Sequence, residues 1–307
     1  MKTDDALAKL GAPVRTGGLP ESPKRFPDGA QYRLEIPSVE TPEALDAVLE
    51  EADRRKVLVH RVSQGSGIML LSDEEISRMC RTAKDAKVEV SLFVGPRAGY
   101  DVTPQPHVPA GKVIGGSLRG SAQLAYAVED VKRACALGVR SVLVADLGLV
   151  WILDQLKKSG ELPASLVQKI SILLSVPNPA TARVLESLGA GTINVSPDLS
   201  LAHLSELRAA VSAPLDVYVE VPDNFGGYIR THEVPEMIRV ATPLYVKMGL
   251  RNAPDIYPWG EQLKPVSLSM TRERIRRARL VLDHLARTAP SLVASKPGPA
   301  GLGIPEC

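Results

Sequence analysis

Cysteine is scarce in this sequence: the 307 residues contain three, Cys80, Cys135 and Cys307. With no CxxC and no paired spacing, they support neither a zinc knuckle nor a disulfide framework. Cys80 in EEISRMCRTA and Cys135 in AVEDVKRACALG fall at helical spacing among apolar neighbours, so both read as buried small side chains rather than reactive thiols. A charge of one sign is missing as well. Thirty-seven Lys and Arg stand against 35 Asp and Glu, a net +2, which gives no reason to expect a nucleic-acid partner. No apolar run approaches the length of a membrane span. The opening MKTDDALAKLG carries two acids and no apolar core, unlike a signal peptide. These absences point to a cytoplasmic protein with neither a membrane nor a nucleic-acid partner. A small-molecule substrate is the expected partner, and self-association stays open.

What is present is an ordinary globular composition, 44% hydrophobic and 23% charged, organised as a repeat. A short β-branched run is followed by a loop and then an amphipathic helix. The strands expected are QYRLEIP, KVLVHRV, KVEVSLFVG, VRSVLVADLG, KISILLSV, GTINVS, PLDVYVEV and PLYVKMG. Helix starts such as TPEAL, SDEEI and NPATA carry capping residues, and SLGA and ALGV carry a terminating Gly. Eight such units over about 260 residues match a (β/α)8 TIM barrel. A doubly wound open sheet would carry a Gly-rich fingerprint after its first strand, and IPSVETPEAL has none. The expected organisation is an N-terminal arm over residues 1–30, a barrel over 31–289 and a flexible tail over 290–307, rich in Gly and Pro.

In DVYVEV, Asp216, Tyr218 and Glu220 alternate with valines. Alternate strand residues face opposite sides. The outer face of a barrel strand packs on helices and must be apolar, so the polar set is expected inside, with Glu220 nearest the mouth. The same parity places Arg33, Glu35, Glu89, Ser91, Ser171, Ser175, Thr192, Asn194, Ser196, Tyr245 and Lys247 inside. For strand two it permits either His60 or Arg61. Two readings follow: internal salt bridges holding the barrel together, or a polar site at the mouth, the latter preferred because buried ion pairs stabilise weakly.

Glu35, Asp146 and Glu220 are the acid/base candidates. Lys247 is expected beside Glu35 and Glu220, where carboxylates keep it an ammonium; it reads as a fixed cation rather than a Schiff-base lysine. Glu35, His60, Asp146 and Glu220 could alternatively hold a divalent metal, although nothing in their spacing demands it. Substrate-binding candidates are His60, Arg61, Gln64, Arg97, Arg119, Tyr218, Asn224, Arg230, Tyr245 and Arg251. Several lie on loops at the expected mouth. VIGGSLRGSAQ, with Arg119, runs into a helix N-terminus and could cradle an anion, as could DNFGGYIR, with Asn224 and Arg230. The long loop from Gly95 to Gly120, carrying Arg97, and RNAPDIYPWGEQLKP, carrying Arg251, would overhang the mouth. His232 reads as a surface-loop residue, and the arginines of TRERIRRAR read as the solvated face of the last helix.

The stretch INVSPDLSLAHLSELRAAVSAPLDVYVEV (193–221) resembles peptidase family U32, in which a strand ending in a Ser-x-Glu/Asp-Leu-Ser pattern precedes a helix and a Leu-Glu-Val-x-Val-x strand. The resemblance implies a barrel. In that family a Gly-x-x-Cys run follows, and in many members cysteines hold an iron–sulfur cluster. Here the position reads VPDNFGGYIR, so the resemblance is to a cluster-free branch and no iron–sulfur cluster is expected. No zinc motif, GxSxG or Cys–His pairing supports peptidase chemistry. The expectation is an enzyme acting on a small carboxylate- or phosphate-bearing metabolite by lyase or isomerase chemistry. The alternatives are a U32-like amide hydrolase and a non-catalytic binding barrel.

Overall fold

The computed structural model describes residue 9, residues 18–101 and residues 104–307. Eight parallel strands close into a barrel in chain order: β1 Tyr32–Pro37, β2 Arg61–Ser63, β3 Glu89–Phe93, β4 Ser141–Val144, β5 Val167–Ile170, β6 Thr192–Asn194, β7 Leu215–Glu220 and β8 Leu244–Met248. Closure is made by β1 and β8, where Glu35 stands opposite Lys247. The eight α-helices among the described residues are α1 Pro42–Arg55, α2 Asp73–Ala86, α3 Gly120–Ala136, α4 Leu147–Lys158, α5 Pro179–Ser187, α6 Leu201–Ala210, α7 Val234–Ala241 and α8 Lys264–Thr288. The fold is therefore a (β/α)8 TIM barrel.

Local signals set the helix starts. Thr41 accepts from Ala44 N ahead of Pro42, and Ser72 and Glu75 form a reciprocal capping box on α2. Asn178 caps α5 ahead of Pro179. The outward strand residues, among them Val62, Val90, Val142, Ile193, Val217 and Val246, join the inward stripes of the helices in one continuous core.

Three expectations change. Strand two is shorter and later than KVLVHRV: its paired residues begin at Arg61, with His60 N donating to Leu34 O (3.0 Å) and His60 O accepting from Glu89 N (2.9 Å) just ahead of them. Ser175 does not face the lumen, because β5 ends at Ile170 and a turn carries Ser175 to the surface with φ +48°. The last helix begins at Lys264, ahead of TRERIRRAR, and its buried stripe includes Ser267, Met270, Thr271, Arg274, Ala278, Val281 and Leu285. Arg274 belongs to that stripe and not to the solvated face, unlike exposed Arg272.

Both flanking segments lie under the N-terminal end of the barrel. Much of the expected arm, residues 1–8 and 10–17, lies outside the described residues. Over 18–30 the chain is tied down by Ser22 Oγ donating to Thr242 O (2.6 Å) and Lys24 Nζ donating to Val211 O (2.6 Å). Phe26 meets the Tyr245 ring edge-on, and the Arg33 guanidinium sits 4.0 Å above Phe26. The segment read as a flexible tail runs across the same end. Arg33 donates to Ser295 Oγ (3.0 Å) and Ala300 O (2.8 Å), Gly303 N donates to Glu89 Oε2 (3.1 Å), and Glu306 N donates to Gly138 O (2.9 Å).

Candidate functional site

The barrel interior is an ion network of three cations and three anions, all buried. Arg61 donates to Glu89 Oε1 (2.8 Å), Asp216 Oδ1 (3.2 Å) and Glu35 Oε2 (3.3 Å). Lys169 lies 2.6 Å from Asp216 Oδ2 and 3.1 Å from Glu35 Oε1, and Lys247 lies 3.2 Å from Glu35 Oε1. Tyr245 forms a base for Arg61, whose guanidinium carbon is 3.6 Å above the ring, and accepts from Arg33 Nη1 (3.2 Å). Burial alone would push the Glu35 carboxyl up, but Lys169, Lys247 and Arg61 together hold it well below the usual carboxylate range. Burial lowers the Lys169 ammonium against the pull of Asp216 and Glu35. The internal salt-bridge reading thus describes the lower and middle barrel.

Above the network lies a cavity of about 370 Å³ at the C-terminal ends of the strands. All eight strands or the residues just beyond them line it: Pro37, Ser63, Phe93, Leu143, Ser171, Asn194, Tyr218 and Lys247. Its walls differ. Phe93, Leu143 and Leu173 form an apolar side, whereas Ser38, Ser63, Asn194 and Lys247 form a polar one. Lys247 is fixed there: Glu35 holds it from below, Asn194 Oδ1 accepts from Nζ (2.9 Å) in the amide orientation that also lets Asn194 donate to Asp216 O, and Tyr218 lies 4.6 Å beneath Nζ. Arg97 lines the far wall, stacked over Phe93 at 4.6 Å and hydrogen-bonded to Tyr100 Oη. Burial raises the Tyr218 phenol, and it pushes Tyr100 up to about 12. The loop after β8 brings Tyr257 over the cavity, with its hydroxyl on Ser38 Oγ. Ser38 holds φ +61°, a left-handed backbone uncommon for a non-glycine residue. Gly65 leaves the room that Tyr257 fills, since a Cβ there would lie 2.5 Å from Tyr257 Cε1.

Of the expected site residues, Gln64, Arg97, Tyr218, Asn224 and Lys247 line this cavity. Gln64 is also tied to the loop backbone, donating to Gly67 O and accepting from Gly67 N, both 3.0 Å. Arg61 and not His60 faces the lumen, and Arg61, Glu35 and Tyr245 lie below the cavity as parts of the network. His60 points to the barrel floor: Nδ1 accepts from Leu34 N (3.0 Å), leaving Nε2 to donate to Ser295 O (2.9 Å). Burial lowers its imidazole to about 4.

The expectation that Glu220 faces the lumen is corrected. A bulge pairs Tyr218 with Lys247 but Glu220 with Met248, so the alternation breaks at Val219. The Glu220 carboxylate turns out to Arg251 N (2.9 Å) and Arg277 Nη1 of α8 (3.5 Å) instead of joining Lys247. Asp146 lies two residues past the end of β4 rather than ending it, and it N-caps α4 by accepting from Leu149 N and also accepts from Leu118 N, both 3.0 Å. That second bond occupies an amide of the loop ahead of α3, where Arg119 is exposed and its own N–H goes to Gln123. Arg230 is held by Glu233 (2.6 Å) and Pro197 O (3.1 Å), and Arg251 is exposed beside Asp223. His232 is exposed, as its loop position suggests. Glu35, His60, Asp146 and Glu220 are therefore not gathered into one ligand set. Among the described residues no group of three or more His, Cys, Asp and Glu is placed to hold a metal ion. Cys80 and Cys135 are buried and Cys307 is exposed, all three as free thiols.

Sequence reasoning passed over Lys169, Ser38 and Asp255, whereas Tyr257 belongs to the loop expected to overhang the mouth. Lys169 shares the parity of Ser171 and could have been named. Asp255 lines the cavity, the one carboxylate to do so among the described residues, and accepts from Tyr257 N (3.0 Å). It comes from a loop with no periodicity to place it.

Residues 117–221, from the loop ahead of α3 to just past β7, match the family model of peptidase family U32. None of the curated proteins matches the chain. Among solved structures, the U32 peptidase Mk0906 aligns over 65% of this chain and 73% of its own at 22% identity, with a TM-score of 0.43. The YdjI aldolase from Escherichia coli K12 aligns over 85% and 94% at 15% identity, TM-score 0.49. A candidate fructose-1,6-bisphosphate aldolase from Coccidioides immitis aligns over 84% and 92% at 12% identity, TM-score 0.50, a likeness of fold alone. Among the described residues no helix is long and apolar enough to cross a membrane. The chain is a (β/α)8 barrel that resembles peptidase family U32, with the family match lying over residues 117–221.

Proposed function

We propose that this barrel is an enzyme of lyase or isomerase type, acting by general acid/base chemistry on a small carboxylate-bearing metabolite in the mouth cavity. The observation that carries the reading is Lys247. It is an ammonium clamped by Glu35, Asn194 and the Tyr218 ring, with its remaining face toward the cavity. A cation so held needs no reorganisation when negative charge develops on a substrate oxygen, which favours proton abstraction next to a carbonyl. Arg97 supplies a second cation for the substrate's anionic group. Asp255 is the candidate base and the Tyr218 phenol the candidate acid. Glu35 serves as the counter-ion that positions Lys247; its depressed carboxyl makes it a weak base.

The test is proton exchange. A panel of 2-keto and 3-hydroxy acids is incubated with the protein in D2O, and loss of the α-proton signal is followed by NMR. Exchange that disappears in Lys247→Met and falls sharply in Asp255→Asn is the expected result. A second reading, hydrolysis of an amide bond, is favoured by the U32 match over 117–221. It predicts release of free amine from a peptide mixture without α-proton exchange. Neither exchange nor amine release, with ligand-dependent melting retained, would make the barrel a binding protein.

A further inference from the structure

A second chamber of about 170 Å³ lies behind Tyr257, sharing Ser38, Tyr218, Asn224, Phe225, Asp255 and Tyr257 with the mouth cavity. Its walls are largely apolar, with Leu250, Ala253, Pro254, Ile256 and Met270 among them; Arg274 of α8 lines it from the helix side, and the carboxylates Asp223 and Asp255 line it as well. That arginine is 3% exposed, and among the described residues its Nε and Nη1 find no hydrogen-bond partner. A buried guanidinium without a counter-ion is strongly unfavourable.

The carboxylates around it are engaged elsewhere. Glu40 accepts from Gly65 N (2.9 Å) and Ser66 N (3.0 Å). Glu220 is taken by Arg251 N and Arg277, Asp223 by Asn252 N and Ala253 N, and Asp255 by Tyr257 N. Arg274 forms no ion pair with any of them.

We propose that this chamber is a binding subsite for the carboxylate of an aliphatic acid, with Arg274 as its cation. The planar guanidinium fork matches a carboxylate edge. The apolar walls suit a short hydrocarbon chain, and they disfavour a phosphate dianion, which would lose more hydration there. The proposal stands without the proton-transfer reading at Lys247, whose failure would leave it intact.

The test uses sodium butyrate as probe, with inorganic phosphate in parallel, reading thermal melting at matched ionic strength and confirming affinity by calorimetry. Butyrate is expected to raise the melting temperature of the unaltered protein in a dose-dependent way. The shift should vanish in Arg274→Met, with affinity at least about tenfold weaker, and persist in Lys247→Met. Ala253→Leu, which fills the chamber while keeping Arg274, should also abolish the shift, and it decides the matter if Arg274→Met fails to fold. The proposal is overturned by no shift in the unaltered protein, by a shift that survives both chamber variants, or by loss in Lys247→Met. A larger shift with phosphate that depends on Arg274 would overturn the ligand class.

Discussion

Acid should loosen this barrel from below, through His60. The imidazole lies among the strand ends at the barrel floor, taking the Leu34 amide on Nδ1 and giving its Nε2 proton to Ser295 O. Protonation would put a second proton on Nδ1 and abolish the bond from Leu34, in a site with the Arg33 cation nearby. Burial and Arg33 accordingly hold the folded imidazole at about 4, against 6.5 for a free one. Between those values the unfolded chain binds the extra proton and the folded chain does not. Stability is therefore present above the unfolded value and lost as pH falls toward 4. Linkage with these two values gives a loss of about 2 kcal/mol between about pH 7 and pH 5, approaching about 3 kcal/mol near pH 4. The assay is urea denaturation across that range for the unaltered protein and His60→Gln, which keeps a donor for Ser295 and cannot titrate. The variant should be less stable at neutral pH and should lose much less on acidification, so the two curves converge. Parallel curves, or an NMR titration of His60 near its free value, would refute the reasoning. Glu35 cannot mimic the effect: its carboxyl is depressed, so its contribution is lost only below the ordinary carboxylate value, at the acid edge of the range.

Other perturbations test other parts of the molecule. Lys169→Met leaves Asp216 and Glu35 short of a buried counter-charge, and should cost about 3–5 kcal/mol in denaturant unfolding. Adding Asp216→Asn should recover part of that loss, and a double variant no better than the single would argue against the pairing. Gly249→Ala places a Cβ 2.4 Å from Glu220 O and 2.7 Å from Pro222 Cδ, so it should destabilise by about 1–3 kcal/mol, read as a lower unfolding midpoint. In Gly65→Ala the new methyl displaces the Tyr257 ring, so the fold should persist while the emission of Trp259, two residues on, shifts. Removing residues 293–307 takes away the partners of Arg33 and His60 at the barrel floor; a melting temperature unchanged by that truncation would show that the segment does not hold the barrel closed.

Strand parity made the architecture legible because the barrel demands an apolar outer face on every strand. Arg33, Glu35, Glu89, Asp216, Tyr245 and Lys247 could be placed inside without coordinates, and so could Lys169 had the rule been carried two residues back from Ser171. Parity failed at strand ends. The ladder of β5 stops at Ile170, short of Ser175. The bulge at Val219 reverses the face of Glu220, and nothing in DVYVEV announces an extra residue. Helical periodicity had the matching reach: the i, i+3/i+4 series Ser267, Thr271, Arg274, Ala278, Val281 and Leu285 marks Arg274 as inward-facing, although its arginine-rich neighbourhood suggested solvent. The flanking segments were illegible for a different reason. Their contacts are largely made by backbone groups, as in Ser295 O with His60 and Gly303 N with Glu89, and such bonds leave no side-chain pattern to read.

The acidic face of strand seven and the cationic character of the mouth have one cause. Asp216, Glu35 and Glu89 match Arg61, Lys169 and Lys247 in number, so the network they form is neutral, but its charges are not level along the barrel axis. Glu89 and Arg61 are covered from below by Gly303 and Tyr245, while Lys247 is the one network member that reaches the cavity. Glu35, its counter-ion, is shared with Lys169 and Arg61, so the negative charge beneath Lys247 is divided among three cations. The bulge then removes Glu220 from the rim and gives it to Arg251 N and Arg277. The mouth therefore presents Lys247 and Arg97 against Asp255 alone, an arrangement whose local field favours an anion even though the chain as a whole carries almost no net charge.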